Sequence, residues 1–195
     1  MKIIDISQEV LSCKVYEGDP EPEAKRIINM EDGGVYNLSA LSLCAHNGTH
    51  VDAPLHFFED GKSIEQIPLE HFVGECFVAE HNGDVKATDA CEMLKKARIL
   101  SAEKRILIKG KATVTEEAAK VFADADILLI GNESQSVGPE NAPMAVHKIL
   151  LSKNIVLLEG IVLNNAREGR YILNCAPLNI KGFEGSPCRA ILIDI

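Results

Sequence analysis

Three of the six histidines in this 195-residue chain fall within eleven residues of one another, in the stretch CAHNGTHVDAPLHF at 44–57. They are His46, His50 and His56, with Asp52 between them. All four positions are even, so in extended chain their side chains point to one face. A helix would also pair His46 with His50, but Gly48, Thr49, Val51 and Pro54 disfavour one, and Pro54 pushes Ala53 toward extended geometry. The segment is therefore expected at the end of a strand running into a loop, with Gly48 allowing a bulge or a close backbone approach. Two neutral imidazoles and a carboxylate converging on a point make a three-ligand catalytic metal site that keeps a place for water. Water held there loses its proton near neutral pH and becomes a nucleophile. His56, beyond the proline, can reach the same pocket without being a ligand and suits a general acid/base. A lone histidine would be read as satisfied by ordinary hydrogen bonds; a cluster of four such residues favours a metal.

The other histidines divide. His71, in PLEHFVG, is expected to be structural, and His81, in the Asn-Gly turn of EHNGD, to face solvent. His147 belongs to an apolar helical stretch, and Glu159 closes the strand IVLLEG that follows it. A carboxylate there would sit at the carboxyl edge of a parallel strand, where open α/β sheets place their sites. Spacing alone leaves a His147–Glu159 pairing open against a hydrogen-bonded helix histidine and an ordinary strand-end acid. Nucleophile chemistry is less supported. GNESQSVG at 131–138 is not a G-x-S-x-G elbow, nothing marks Cys44 as activated beside His46, and no glycine-rich phosphate loop is present.

These residues need a scaffold. Short apolar stretches at 2–6, 36–46, 73–80, 105–109, 126–131, 155–158, 170–179 and 189–194 read as strands. Helical patterns lie at 88–98, with a Thr/Asp cap and basic residues at its end, at 115–125, with a Thr cap and early acids, and at 139–154, opened by prolines. The order ILLIG, helix, IVLLEG is a β-α-β signal and predicts a parallel pair with a right-handed crossover. The first half is more hairpin-like. A single mixed α/β domain over 1–195 is the expected result, with EGDPEPEAKR (17–26) as a surface loop.

Composition limits the partners. With 29 Asp and Glu against 20 Lys and Arg the net charge is -9, which argues against nucleic acid or an anionic membrane surface. The longest apolar runs are too short to span a bilayer, and the first residues carry no signal-like apolar region. Six scattered cysteines without C-x-x-C fit reduced thiols, so a cytoplasmic protein with a small-molecule substrate is expected.

The string His46-x-Gly48-Thr49-His50-x-Asp52-x-Pro54-x-His56 resembles the H-x-G-T-H-x-D-x-P-x-H signature of the cyclase-like metal-dependent hydrolases, a family that includes bacterial kynurenine formamidases and, more distantly, isatin hydrolase. The similarity extends through IIDISQEV, YEGDPEPE, GKSIEQIPLEHFVGECFV, HKILLSKNIVLLEGI and APLNIKGFEGSPCRAILI. It implies a swivelling β/β/α fold, assembled as a homodimer or homotetramer whose subunits sometimes complete each other's pockets. It places His46, His50 and Asp52 on a first metal and Asp52, His147 and Glu159 on a second where the site is binuclear, with Asp52 bridging. His56 becomes the catalytic acid/base. The cofactor implied is zinc or manganese, one or two ions per subunit. One departure stands out. The family's G-x-D-x-x-S reads here Gly131-Asn132-Glu133-Ser134-Gln135-Ser136, which places Glu133 and Gln135 near the pocket and bears on substrate choice.

The function expected is hydrolysis of an amide C–N bond, in a formamide or a cyclic amide. The alternative is a non-catalytic metal- or ligand-binding protein on the same fold, which would close its site with four protein ligands. The chain has no Trp and only 5% aromatics, which argues against an aryl substrate such as N-formylkynurenine. Tyr16, Phe57, Phe58 and Phe72 are the aromatics available for an apolar wall, though core packing suits each of them better.

Overall fold

A computed structural model of the protein describes residues 1–194. Its strands are Lys2–Asp5 (β1), Glu23–Ile28 (β2), Leu38–Ser42 (β3), His50–Asp52 (β4), Val73–Glu80 (β5), Gly83–Val85 (β6), Arg105–Lys109 (β7), Ala112–Val114 (β8), Leu129–Asn132 (β9), Val156–Glu159 (β10), Gly169–Asn174 (β11), Gly185–Pro187 (β12) and Ile191–Asp194 (β13). The α-helices are Ala87–Ile99 (α1), Glu116–Asp124 (α2) and Met144–Leu151 (α3).

The strands β5, β7, β9 and β10 have apolar centres because both of their faces are covered there. On one face of these strands Phe77, Ala79, Ile106, Ile108, Ile130 and Leu157 pack in one core with α1, α2 and α3. On the other face Cys76, Val78, Leu107, Leu129, Val156 and Leu158 pack in a second core that holds Ile6, Val51, Phe72 and Leu173. The largest of these side chains, Phe72, Phe77 and Phe122, are fully buried. Each contributes about 1.5–3 kcal/mol by leaving water.

Nine strands form one mixed sheet in the order β1-β13-β11-β5-β7-β9-β10-β4-β12, while β2–β3 and β6–β8 form separate pairs. The central block β5-β7-β9-β10 is parallel. The predicted strand–helix–strand unit is β9–α3–β10, whose strands pair in parallel with Leu157 opposite Ile130. Beyond β10 the sheet continues with antiparallel β4, which sets Asp52 opposite Leu157 and His50 opposite Glu159. That register decides the site. Opposite residues share a face, so His50 and Asp52 project to the same side as Glu159, the side covered by α3.

Several sequence expectations need correction. The segment 36–46 is not one strand: β3 ends at Ser42 and a turn carries His46. The shared-face argument therefore holds for His50 and Asp52 alone, because Gly48 adopts φ +64 and turns the chain between His46 and His50. The strand expected at 170–179 ends at Asn174. The helix expected at 139–154 is confined to Met144–Leu151. Pro143 disfavours helical geometry in the residue before it, and Asn154 at φ +56 turns the chain out at the other end. Helix α1 starts one residue early at Ala87, and its N-cap is Lys86, whose N–H donates to the carboxylate of Asp89 in the first turn at 2.8 Å. Helix α2 has the expected cap, with Thr115 Oγ1 accepting from Ala118 N–H at 3.3 Å.

Candidate metal centre

The backbone around the histidine cluster is tied down before any ligand atom is placed. Thr49 Oγ1 donates to the Gly160 carbonyl at 2.7 Å, and Gln8 Nε2 donates to the same oxygen at 2.7 Å. Gly160 takes φ +66, and a Cβ there would lie 2.6 Å from the Gly48 carbonyl oxygen. The two glycines thus let the turn before β4 lie directly against the end of β10. Asn47 folds the turn on itself by accepting from the Cys44 N–H at 2.8 Å. His46 leaves this turn and lies over β12, where a Cβ on Gly185 would stand 2.9 Å from its Cε1.

Three elements then converge. From β4 come His50 and Asp52, from β10 Glu159, and from α3 His147, and all four are buried. His50 Nδ1 donates to the Gly48 carbonyl at 3.0 Å and His147 Nδ1 to the Pro143 carbonyl at 2.9 Å. With those protons assigned by the hydrogen-bond network, each Nε2 is the free atom. His147 Nε2 lies 3.2 Å from Glu159 Oε1 and 3.6 Å from Asp52 Oδ2. His50 Nε2 lies 3.5 Å from Asp52 Oδ1 and 3.6 Å from Glu159 Oε2. His46 Nδ1 stands 2.9 Å from Asp52 Oδ1.

Ring lone pairs facing carboxylate oxygens in a dry site repel one another unless a positive charge lies between them. Without an ion, protons must supply it. Burial alone would push His46 down, but the Asp52 carboxylate outweighs it and raises the ring to about 9. His50 and His147 are raised in the same way, burial being overcome by Glu159 and Asp52. Burial would raise Asp52, yet the surrounding imidazoles, His46 foremost, hold it below the usual carboxylate range. Asp52 Oδ2 is moreover buried with no hydrogen-bond partner among the described residues, as is His46 Nε2.

These observations fit a cation. Two overlapping sets bring one donor atom from each member within 4.8 Å of one another: His46, His50 and Asp52, and Asp52, His147 and Glu159. Asp52 belongs to both, which is the geometry a bridging carboxylate requires. The imidazole Nδ1–carbonyl bonds are the outer contacts that fix a ligating histidine's tautomer and orientation. Neither set includes His56, which terminates a 3-10 turn at Pro54–His56. Its ring stands 4.3 Å from the His46 ring and 4.6 Å from that of Phe57, between centroids. Burial, opposed by Asp52 and reinforced by the nearby His46 and His147, pushes His56 down and so favours the neutral ring, which can accept a proton.

A cavity of about 200 Å³ opens onto this cluster, lined by Tyr16, Asp19, Phe57, Gln135, Ser136 and Pro143 besides the histidines and Glu159. Gln135 faces the cavity and donates to the Lys14 carbonyl. Glu133 does not: its two oxygens accept from Gly110 N–H and Leu163 N–H at 2.7 Å each, so it braces neighbouring loops. Of the aromatics, Tyr16 and Phe57 line the cavity, whereas Phe72 is sealed in the second core and Phe58 packs against the first. His71 is structural, its Nδ1 bonded to the Leu128 carbonyl at 3.2 Å. His81 is half-buried rather than solvent-facing, its Nε2 held to the Asp84 carbonyl at 3.2 Å.

Sequence reasoning missed Gly185 and the buried hydroxyl of Ser136. The signal for Gly185 was present, since a glycine inside a strand marks a place where something approaches the backbone closely.

Burial raises the Cys44 thiol, so Cys44 is not an activated nucleophile beside these histidines. The protein is a metal-dependent hydrolase. Residues 4–139 match the family model described as "Putative cyclase", and the chain belongs to this Cyclase family. It is 36% identical to a kynurenine formamidase of Salinibacter ruber (strain DSM 13855 / M31), an alignment covering all of this chain and 98% of that one. It is 32% identical to a kynurenine formamidase of Erythrobacter litoralis (strain HTCC2594), over all of this chain and 94% of the relative. Among solved structures, a potential metal-dependent hydrolase with cyclase activity superposes with a TM-score of 0.81 at 28% identity, covering 98% of this chain and 96% of that one.

Proposed function

We propose that the protein hydrolyses the C–N bond of a small formamide or cyclic amide, with His46, His50 and Asp52 holding one divalent cation and Asp52, His147 and Glu159 a second. The observation that carries this reading is Asp52, a buried carboxylate common to both donor sets with one oxygen left unbonded beneath an open cavity. A cation bound there polarises the carbonyl and lowers the pKa of water. The chain's own residues do the rest. Neutral His56 takes a proton from the attacking water and returns it to the leaving nitrogen, so that amide and water become a carboxylic acid and an amine. His50 and His147 are kept in the ligating tautomer by Gly48 and Pro143, and Tyr16 and Phe57 form the apolar wall that orients the substrate.

The names of the two bacterial relatives make a formamide of an aryl amine the first substrate to test. The scarcity of aromatics in the chain does not oppose it, because two of the few lie at this cavity. Three protein residues in each donor set, rather than four, favour catalysis over a closed binding site. The ion is zinc or manganese, which share this ligand chemistry. A homodimer or homotetramer is supported by the β2–β3 hairpin, which exposes Ile27, Met30, Val35, Tyr36, Leu38 and Leu41. Six free cysteines support a cytoplasmic setting. No helix among the described residues is long and apolar enough to cross a membrane.

The test is a panel of aryl formamides, lactams and cyclic imides incubated with zinc- or manganese-loaded protein. Metal-dependent cleavage of at least one member is expected. Stoichiometric metal binding with no cleavage across the panel would leave the non-catalytic reading in its place.

A further inference from the structure

The last residue of β9 and the loop that follows it contain two side-chain atoms that are buried with nothing to bond among the described residues, Asn132 Oδ1 and Ser136 Oγ. Asn132 spends its Nδ2 protons on the Ala112 carbonyl at 3.1 Å and the Ser136 carbonyl at 3.2 Å, so it clamps the Ser136 backbone from below. The next N–H, that of Val137, donates to Glu159 Oε1 at 2.7 Å. Gly160 N–H reaches back to the Ser134 carbonyl at 2.7 Å. Ser136 is therefore fixed in place against the metal centre, and it lines the cavity beside His50, His147 and Glu159. With 2% of its surface exposed, its hydroxyl has lost water and gained no partner in the chain. An unpaired buried hydroxyl in a native fold calls for a partner, and a group bound in the cavity would supply one.

We propose that Ser136 is a substrate-contacting residue whose hydroxyl donates to the carbonyl oxygen of the scissile amide, and to the same oxygen as it gains negative charge. This rests on the amide hydrolysis proposed above. The hydroxyl acts as a donor and not as a nucleophile, because no imidazole among the described residues is hydrogen-bonded to it. His50 and His147 turn Nε2 to the carboxylates, and His56 lies against His46 and Phe57. The loop that holds Ser136 is pinned to Asn132 and Glu159, so the donor is preorganised and strengthens its bond as charge develops.

The experiment compares metal-loaded wild type with Ser136→Ala, measuring kcat, KM, metal content and the thermal midpoint on the best amide of the panel. The expected result is a fall in kcat of roughly 100-fold or more, the scale for loss of one such donor, with little change in KM or metal content. The midpoint should stay level or rise, because alanine removes an unpaired buried group. Unchanged kcat in the variant overturns the proposal. So does a lowered midpoint with activity falling in parallel, which would mark the hydroxyl as structural, bridged to Asn132 Oδ1 by a buried water. A panel without any wild-type turnover refutes the amidase reading itself and takes this inference with it, whereas wild-type turnover with an unaffected variant refutes only Ser136's role.

Discussion

Replacing Gly185 with alanine perturbs the metal centre through a carbon atom that carries no chemistry. The new Cβ would stand 2.9 Å from His46 Cε1 and 2.9 Å from the Val51 carbonyl oxygen. Comfortable carbon–carbon separation is about 3.5–4.0 Å, so something must retreat by about 0.6 Å at least. Val51 cannot give readily, because β4 is paired on both sides, with β10 and with β12. The displacement falls on the His46 ring, which leaves its 2.9 Å contact with Asp52. Metal–ligand distances tolerate about 0.2 Å, a third of that shift. Affinity for the ion on His46, His50 and Asp52 should fall about 10–100-fold, the scale seen when an outer contact orienting a ligand is lost. Overpacking costs about 1–3 kcal/mol. At about 2–4 °C per kcal/mol for a chain of this size, the metal-free midpoint should drop by about 2–12 °C. Competition against a chelating dye reads the affinity, and circular dichroism melting reads the midpoint. Wild-type values for both would refute the argument that Gly185 exists to seat His46. A lowered midpoint with undiminished affinity would reduce Gly185 to a packing residue.

His56→Ala should keep its full metal content while losing about 10²–10⁴-fold in kcat, and loss of bound metal in parallel would make His56 a ligand instead. Metal binding at pH 7 should release protons, because His46 is held at about 9 and His50 and His147 above their ordinary value in the metal-free site. Affinity should accordingly weaken as pH falls and strengthen as it rises. Calorimetry in buffers of different ionisation enthalpy measures the release, and none detected would contradict the ligand assignment. Glu133→Ala should destabilise the fold by about 2–4 kcal/mol, because it strips two half-buried N–H groups of a charged acceptor. Urea unfolding measures this, and an unchanged midpoint would show that Gly110 and Leu163 find other partners.

The parts of this site that could be read from sequence are those set by local chain chemistry. Strands β5 and β7 were legible to the residue because each has a buried apolar centre, CFVA and ILI, bounded by charged or exposed ends. Glu159 could be placed at the carboxyl end of a strand because IVLLEG ends in a charge and a glycine. His46 lies beside His50 and Asp52, but the shared-face argument that groups them holds only in part. The chain turns at Gly48, and a left-handed glycine leaves no mark that distinguishes it from an extended one. Whether His147 meets Asp52 depends on how α3 lies on the sheet, a consequence of packing by Val146, Leu150 and Leu151 against distant strands. Glu133 looked like a pocket residue because it neighbours Gln135 and Ser136, but alternation along the loop sends it to the Gly110 and Leu163 amides. Gly185 and Ser136 act through a missing atom and a missing partner, and neither exists until the fold is complete.

The sharing of Asp52 between β4 and its neighbours has a consequence for assembly as well as for chemistry. Asp52 and Glu159 stand more than half the chain apart, and the sheet joins their strands directly. Closing that span is slow in an unfolded chain, since loop entropy must be met before any contact repays it. An ion with ligands on both sides of the gap can be captured only after β9, α3 and β10 have docked against β4. Uptake of an ion on Asp52, His147 and Glu159 should then be a late folding event, and such an ion would crosslink the two halves of the chain. Chelation should accordingly loosen the β4–β12 edge of the sheet first, as faster amide exchange there while the β5-β7-β9 block stays protected.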